Sequence, residues 1–206
     1  MMKKLFISLL FVFGILSTSH AQGKGKIELG FGLGYSTYTV TSSNIQASSG
    51  IGINFAGSAE YYFSDRWGIK TKLVYDQKGW NDGFIRLNPD DFSYTTDYKL
   101  NYLTVPVLGN WHFGKKRNWY LNFGPYLGFL LNAKETTLGT DVKDAFNGTD
   151  FGLALGIGVK IPVSNNLKVL IEYDGQSGMT NIFKTSNTTV RNSRSSFNIG
   201  LNYTLK

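Results

Sequence analysis

Hydrophobic and polar residues alternate along most of this chain with a period of two. The last ten residues, Phe197 to Lys206, are large and apolar at every odd position through Leu205 and small or polar at every even one. Period 2 is the mark of a strand whose faces meet different surroundings. The same alternation recurs about eight times. In the first segment Ile27, Leu29, Phe31, Leu33 and Tyr35 share one face, opposite Glu28, Gly30, Gly32, Gly34 and Ser36. In the second, Ile51, Ile53, Phe55, Ala59, Tyr61 and Phe63 oppose Gly52, Asn54, Ala56, Ser58 and Glu60. Trp67 to Asp76, Phe151 to Ile161 and Leu167 to Asp174 repeat it.

The connections set the topology. Ser64–Arg66, Gly114–Asn118 and Ser164–Asn166 are short turns, whereas the alternate connections near 40–49, 80–97, 134–149 and 177–193 are long and polar. Short and long connections alternating along an even number of antiparallel strands are the arrangement of bacterial outer-membrane barrels, with short turns in the periplasm and long loops outside. The prediction is an all-β fold: an eight-stranded antiparallel transmembrane up-and-down β-barrel with short periplasmic turns and long extracellular loops.

The N-terminus supports export. Lys3 and Lys4 precede an apolar run from Leu5 to Leu16, and Ser19-His20-Ala21 is a small-x-small cleavage site. We read residues 1–21 as a signal peptide and 22–206 as one barrel domain. The apolar run has twelve residues, too few for a spanning helix, which needs about 20. With no cysteine there is no disulfide, lipidated cysteine or thiolate metal site. Loss of Lys3 and Lys4 lowers the net charge from +7 to +5. That basic balance does not indicate nucleic acid, because the chain has no basic helix, zinc spacing or aromatic RNA motif.

An interior of eight strands is just wide enough to be filled by side chains. The predicted inward face is rich in glycine and carries Glu28, Glu60, Lys70, Lys72, Asp76, Lys78, Lys160, Lys168, Glu172 and Asp174. Buried charges are tolerated when they pair and hydrogen-bond, so we expect a plugged, non-conducting lumen. A soluble barrel would instead turn its apolar face inward around a ligand. The apolar face holds too many of the 15 Phe, 12 Tyr and 4 Trp to fit there. Aromatics also gather near strand ends, at Tyr61, Tyr62, Phe63 and Trp67 and at Trp111, Phe113, Trp119 and Tyr120, as membrane-interface girdles do.

Tyr102-Leu103-Thr104-Val105-Pro106-Val107-Leu108-Gly109-Asn110 resembles the Tyr-Leu-Glu-Ile-Pro segment of the PorT-type outer-membrane β-barrel family of the Bacteroidota. Leu121 to Gly128 resembles that family's Gly-Pro-aromatic strand, and Gly178-Met179-Thr180-Asn181-Ile182 its Gly-Leu-Thr-Asn-Ile loop. The resemblance covers most of the mature chain and implies the barrel fold and an outer-membrane location. Thr104 stands where the family has an inward carboxylate and Asn110 where it has an inward lysine. The namesake subgroup assists protein secretion, a role not transferred to this chain. Proline cannot donate to a β-ladder, so a bulge or locally broken pairing is expected near Pro106, and a second near Pro125.

Chemistry is sparse. The only histidine after the signal, His112, lies two residues before a periplasmic turn, at the opposite end from the extracellular rim where outer-membrane barrel enzymes resemble one another in using His with Ser or Asp; we read it as an interfacial histidine. Asp90, Asp91 and Asp97 lack an EF-hand spacing. The glycine runs at Gly30-x-Gly32-x-Gly34 and Gly152-x-x-x-Gly156-x-Gly158 lie within strands, with no helix following to form a phosphate loop. No catalytic, cofactor or metal site is expected. The remaining functional surface is the loops, above all Trp80, Phe84, Arg86, Phe92 and Tyr94. The reading is a monomeric, non-enzymatic barrel in contact with outer-membrane lipids, with a structural role or a binding role in which its loops contact an external ligand such as a glycan or its turns contact another envelope protein. The alternative is an accessory in envelope assembly or protein secretion; a soluble ligand-binding barrel and a small-solute porin rank below both.

Overall fold

The computed structural model describes residues 24–42, 47–85, 92–185 and 188–205. The signal segment, Arg86, Asp90 and Asp91 lie outside the described residues. Eight described strands run in chain order: β1 (Ile27–Thr41), β2 (Gly50–Tyr62), β3 (Trp67–Ile85), β4 (Tyr94–Phe113), β5 (Trp119–Glu135), β6 (Thr149–Pro162), β7 (Leu167–Gly178) and β8 (Arg191–Thr204). Each pairs antiparallel with its neighbours, and β8 returns to β1 to close the barrel. One 3-10 turn, Lys143–Ala145, interrupts the β5–β6 connection.

The register fixes the barrel's size. Following ladder partners from Ile27 through Tyr61, Ile69, Gly109, Phe123, Leu155, Gly175 and Ser195 leads back to β1 at Thr37. The circuit therefore climbs ten residues, which with eight strands gives a strand tilt of about 40°. The interior is narrow enough that inward glycines are needed as space. A Cβ on Gly158 would sit 2.4 Å from the Tyr120 hydroxyl, and one on Gly152 would sit 2.8 Å from that of Tyr126.

The facing is that of a membrane barrel. Phe31, Leu155 and Phe197 on the apolar face are 63%, 63% and 57% exposed, while the alternating polar positions are buried. This overturns the soluble-barrel alternative, which requires the opposite facing. Two aromatics expected in the girdle, Tyr62 and Tyr120, instead point inward and are buried. They occupy even positions, so parity had placed them inside and their aromaticity misled. Trp67 and Trp111 do stand together on the outer wall, 6.3 Å apart between ring centroids.

Proline interrupts the ladder without shifting it. Thr71 pairs with Val107 and Val74 with Thr104, leaving Lys72 and Leu73 unpaired opposite Pro106 and Val105 in unchanged register. Likewise Pro106 pairs with Tyr126 and Gly109 with Phe123, leaving a gap at Gly124 and Pro125. Thr71 Oγ1 donates to the Pro106 carbonyl at 3.1 Å, returning one hydrogen bond to the seam. Bulges occur elsewhere: between Trp80 and Gly83, where Asp82 takes φ 57°, and at Asn101/Tyr102 against β5.

Candidate functional site

Even positions of successive strands converge in the lumen, where their charges sort into three tiers, each electrically balanced. In the periplasmic tier Lys160 bonds Glu28, Glu60 Oε2 (2.6 Å) and the Tyr62 hydroxyl (2.8 Å), while Lys168 reaches Glu28 Oε2. Asn202 and Asn110 donate to Glu28 and Glu60 respectively, each at 2.7 Å. His112 is buried here with Nε2 2.7 Å from Glu60 Oε1, not at the membrane interface as expected. Its even position in β4 turns it inward, beside the Tyr62 and Tyr120 rings.

The middle tier centres on Glu172, which receives Lys70 (3.3 Å), Lys72, the Tyr120 hydroxyl (2.7 Å) and Asn122 Nδ2 (2.8 Å). Lys72 also lies 3.3 Å from Asp174, and Arg194 spans Asp174 (2.9 Å) and Asp76 (3.0 Å). Thr104 Oγ1 donates to Asp76 at 3.4 Å. Thus Thr104 and Asn110, the two departures from the resemblance, face inward and meet carboxylates. In the upper tier Lys78 pairs with Asp150 at 2.9 Å, and Tyr126 and Asn192 donate to the same Asp150 oxygen. The cavity among Lys72, Gln176, Arg194, Leu108 and Ala154 measures about 30 Å³, room for roughly one or two waters.

All ten inward charges named from the sequence lie in these tiers. The sequence reading omitted Asp150 and Arg194, although both sit at even positions one or two steps beyond a recognised alternation. Extending the parity of β6 by one residue and of β8 by three reaches them.

Above the charges the interior becomes apolar. Trp80 stacks on Tyr98 at 4.4 Å between centroids, and Phe146 stacks on Phe183 at 4.8 Å, with both phenylalanines edge-on to Trp80. Ile182 and Val190 complete a core that folds the β5–β6 and β7–β8 connections over the mouth. Trp80 is therefore not a surface loop residue: β3 runs on past it to Ile85, and it is 3% exposed. Phe84 (68% exposed), Phe92 (88%) and Tyr94 (45%) do face outward at the tip of the β3–β4 arm. Arg86 lies outside the described residues.

Glu135, at the extracellular end of β5 beyond the apolar band, anchors the cap. Its oxygens accept from the backbone N–H groups of Thr137 (3.0 Å), Leu138 (3.0 Å) and Thr140 (2.7 Å) and from the Thr96 hydroxyl (2.8 Å). Burial would raise its pKa, but these donors outweigh that and hold it at about 2. A depressed pKa adds stability above the ordinary carboxylate value that is lost as pH falls through the folded value. Amide exchange at Thr137, Leu138 and Thr140, corrected for intrinsic rates, should accelerate as pH drops from about 4.5 towards 2 while barrel amides stay protected. Glu135→Ala should release the same three amides at pH 7.

No group of three or more His, Asp or Glu able to hold a metal occurs among the described residues. Asp97 Oδ1 instead accepts the Asp82 N–H at 3.2 Å.

Residues 20–184 match the family model described as outer membrane protein beta-barrel domain. No curated protein matches the chain by sequence. Among solved structures, the outer membrane protein OprG from Pseudomonas aeruginosa is similar at 13% identity and TM-score 0.52, over 90% of this chain and 99% of that one. Neisserial surface protein A is similar at 19% identity and TM-score 0.51, over 85% and 96%. AlkL, an outer membrane protein solved in lipid bilayers, is similar at 11% and TM-score 0.51, over 92% and 94%. At these identities the likeness is one of fold.

Proposed function

Because the chain belongs to the outer membrane protein beta-barrel domain family and resides in the Gram-negative outer membrane, we propose that it is a non-enzymatic, monomeric barrel that works through its extracellular surface. Residues 1–21 are removed on export and 22–206 form the barrel domain. The observation that carries this reading is the filled interior: among the described residues three balanced tiers of charge lie beneath an aromatic cap, which leaves the outer rim as the surface to act. On it Phe84, Phe92 and Tyr94 form an aromatic tip suited to stacking on the faces of a glycan or packing on an envelope protein.

The test is a glycan and envelope-protein binding array probed with the detergent-solubilised full chain. Binding should fall at least tenfold for Phe84→Ser/Phe92→Ser/Tyr94→Ser and stay unchanged for Lys115→Gln/Lys116→Gln at a periplasmic turn. Binding that survives the tip variant, or that follows the turn variant, rejects the reading. The second reading, an accessory in envelope assembly or secretion, is supported by the resemblance of Tyr102–Asn110 to the PorT-type family of the Bacteroidota; it places the partner at the periplasmic turns.

A further inference from the structure

Where β4 and β5 leave the apolar band on the extracellular side, three rows of side chains on their outer face change chemistry in order. Leu103 pairs with Phe129, then Asn101 with Asn132, then Lys99 with Lys134. The amides are joined by an Asn101 Nδ2 to Asn132 Oδ1 hydrogen bond of 2.8 Å. Lys99 and Lys134 are exposed. Leu131, the extra residue of the bulge, lends its carbonyl to Lys143 Nζ at 2.8 Å, which brings a third cation alongside.

Like charges directly opposite on a sheet are destabilising. Among the described residues neither lysine forms an ion pair; Asp97, on the same face, accepts a backbone N–H, and Asp141, which bridges opposite Lys134, turns its carboxylate to the Lys143 N–H at 2.9 Å. Four residues separate Leu103 from Lys99, a vertical rise of about 10 Å for a strand tilted by about 40°. That distance leads from the edge of the hydrocarbon to headgroup level.

We propose that this strip binds an anionic, phosphate-bearing lipid of the outer leaflet, with acyl chain on Leu103 and Phe129, the ester or hydroxyl region at the asparagine pair, and a phosphate uncompensated by any headgroup cation between Lys99 and Lys134. The order of the rows matches the order of groups along such a lipid, and the charge is complementary. Native mass spectrometry of the full chain in detergent tests it, with phosphatidylglycerol, phosphatidylcholine of the same acyl chains and inorganic phosphate as probes. Phosphatidylglycerol should be retained in preference to phosphatidylcholine. Lys99→Gln/Lys134→Gln should weaken retention about 30-fold, from about 1 kcal/mol per lysine at an anionic surface. Lys99→Arg/Lys134→Arg should keep it, which separates lost charge from misfolding, and Lys115→Gln/Lys116→Gln should leave it unchanged. Equal retention of the two lipids, indifference to the glutamine pair, loss with the turn variant, or displacement of the lipid by inorganic phosphate would overturn the assignment.

Discussion

Leu155→Arg should cost about 2–4 kcal/mol when the protein folds into lipid, because it places a cation near mid-bilayer on the outer wall of β6. Leu155 is 63% exposed and aligns with Phe123 on one side and Gly175 on the other. The guanidinium can snorkel only by bending away from that apolar wall, where these neighbours offer no acid to pair with it. Ile157→Arg should behave alike. Ala154→Ser, one residue away but facing the lumen, should cost under about 1 kcal/mol, since its small hydroxyl enters the lumen beside Gln176, the ladder partner of Ala154. The readout is the folded fraction in vesicles, measured by the difference in gel mobility between unheated and boiled samples. Equal losses at 154 and 155 would mean that the two faces are wrongly assigned.

Lys78→Met should cost about 3–5 kcal/mol by leaving Asp150 charged and unpaired in the upper lumen. Asp150→Asn should cost a similar amount by stranding Lys78. The double variant should recover most of the loss, because replacing both members of a buried ion pair is often close to neutral, and the amide carbonyl introduced at position 150 can still accept from Tyr126 and Asn192. Urea titration of the barrel in lipid gives the coupling directly; additive losses would show that the two charges do not meet. Neither single variant should conduct in planar bilayers, since the tiers below and the aromatic cap above remain closed. A steady conductance from the unmodified protein would contradict the closed interior.

The fold was legible because parity is cheap to read: one residue of slip exchanges the two faces, so Ile27–Tyr35 and Phe151–Ile161 each fix their own orientation. The charged tiers were legible for the same reason. What failed were assignments made from residue type. Tyr62, Tyr120 and Trp80 looked interfacial or exposed because they are aromatic, yet each follows its strand inward. His112 looked interfacial because of its closeness to a turn. The true ends of β3 and β4 were hidden because the bulge at Asn81 and Asp82 breaks the alternation, so a segment that is strand to Ile85 read as a loop. Which lysine meets which acid depends on contacts across the lumen, such as Lys160 to Glu28 at 132 residues' separation, and no local pattern encodes those.

The barrel is also lopsided in height. β3 and β4 have 19 and 20 residues, whereas β7 and β8 have 12 and 14. An excess of about six residues, at about 3.3 Å each along a tilted strand, lifts one side of the rim roughly 15 Å above the other. A bulky particle approaching the cell would therefore touch the β3–β4 mast before the lower rim over β7 and β8, and a change of shape or charge at Phe84, Phe92 or Tyr94 would alter that first contact.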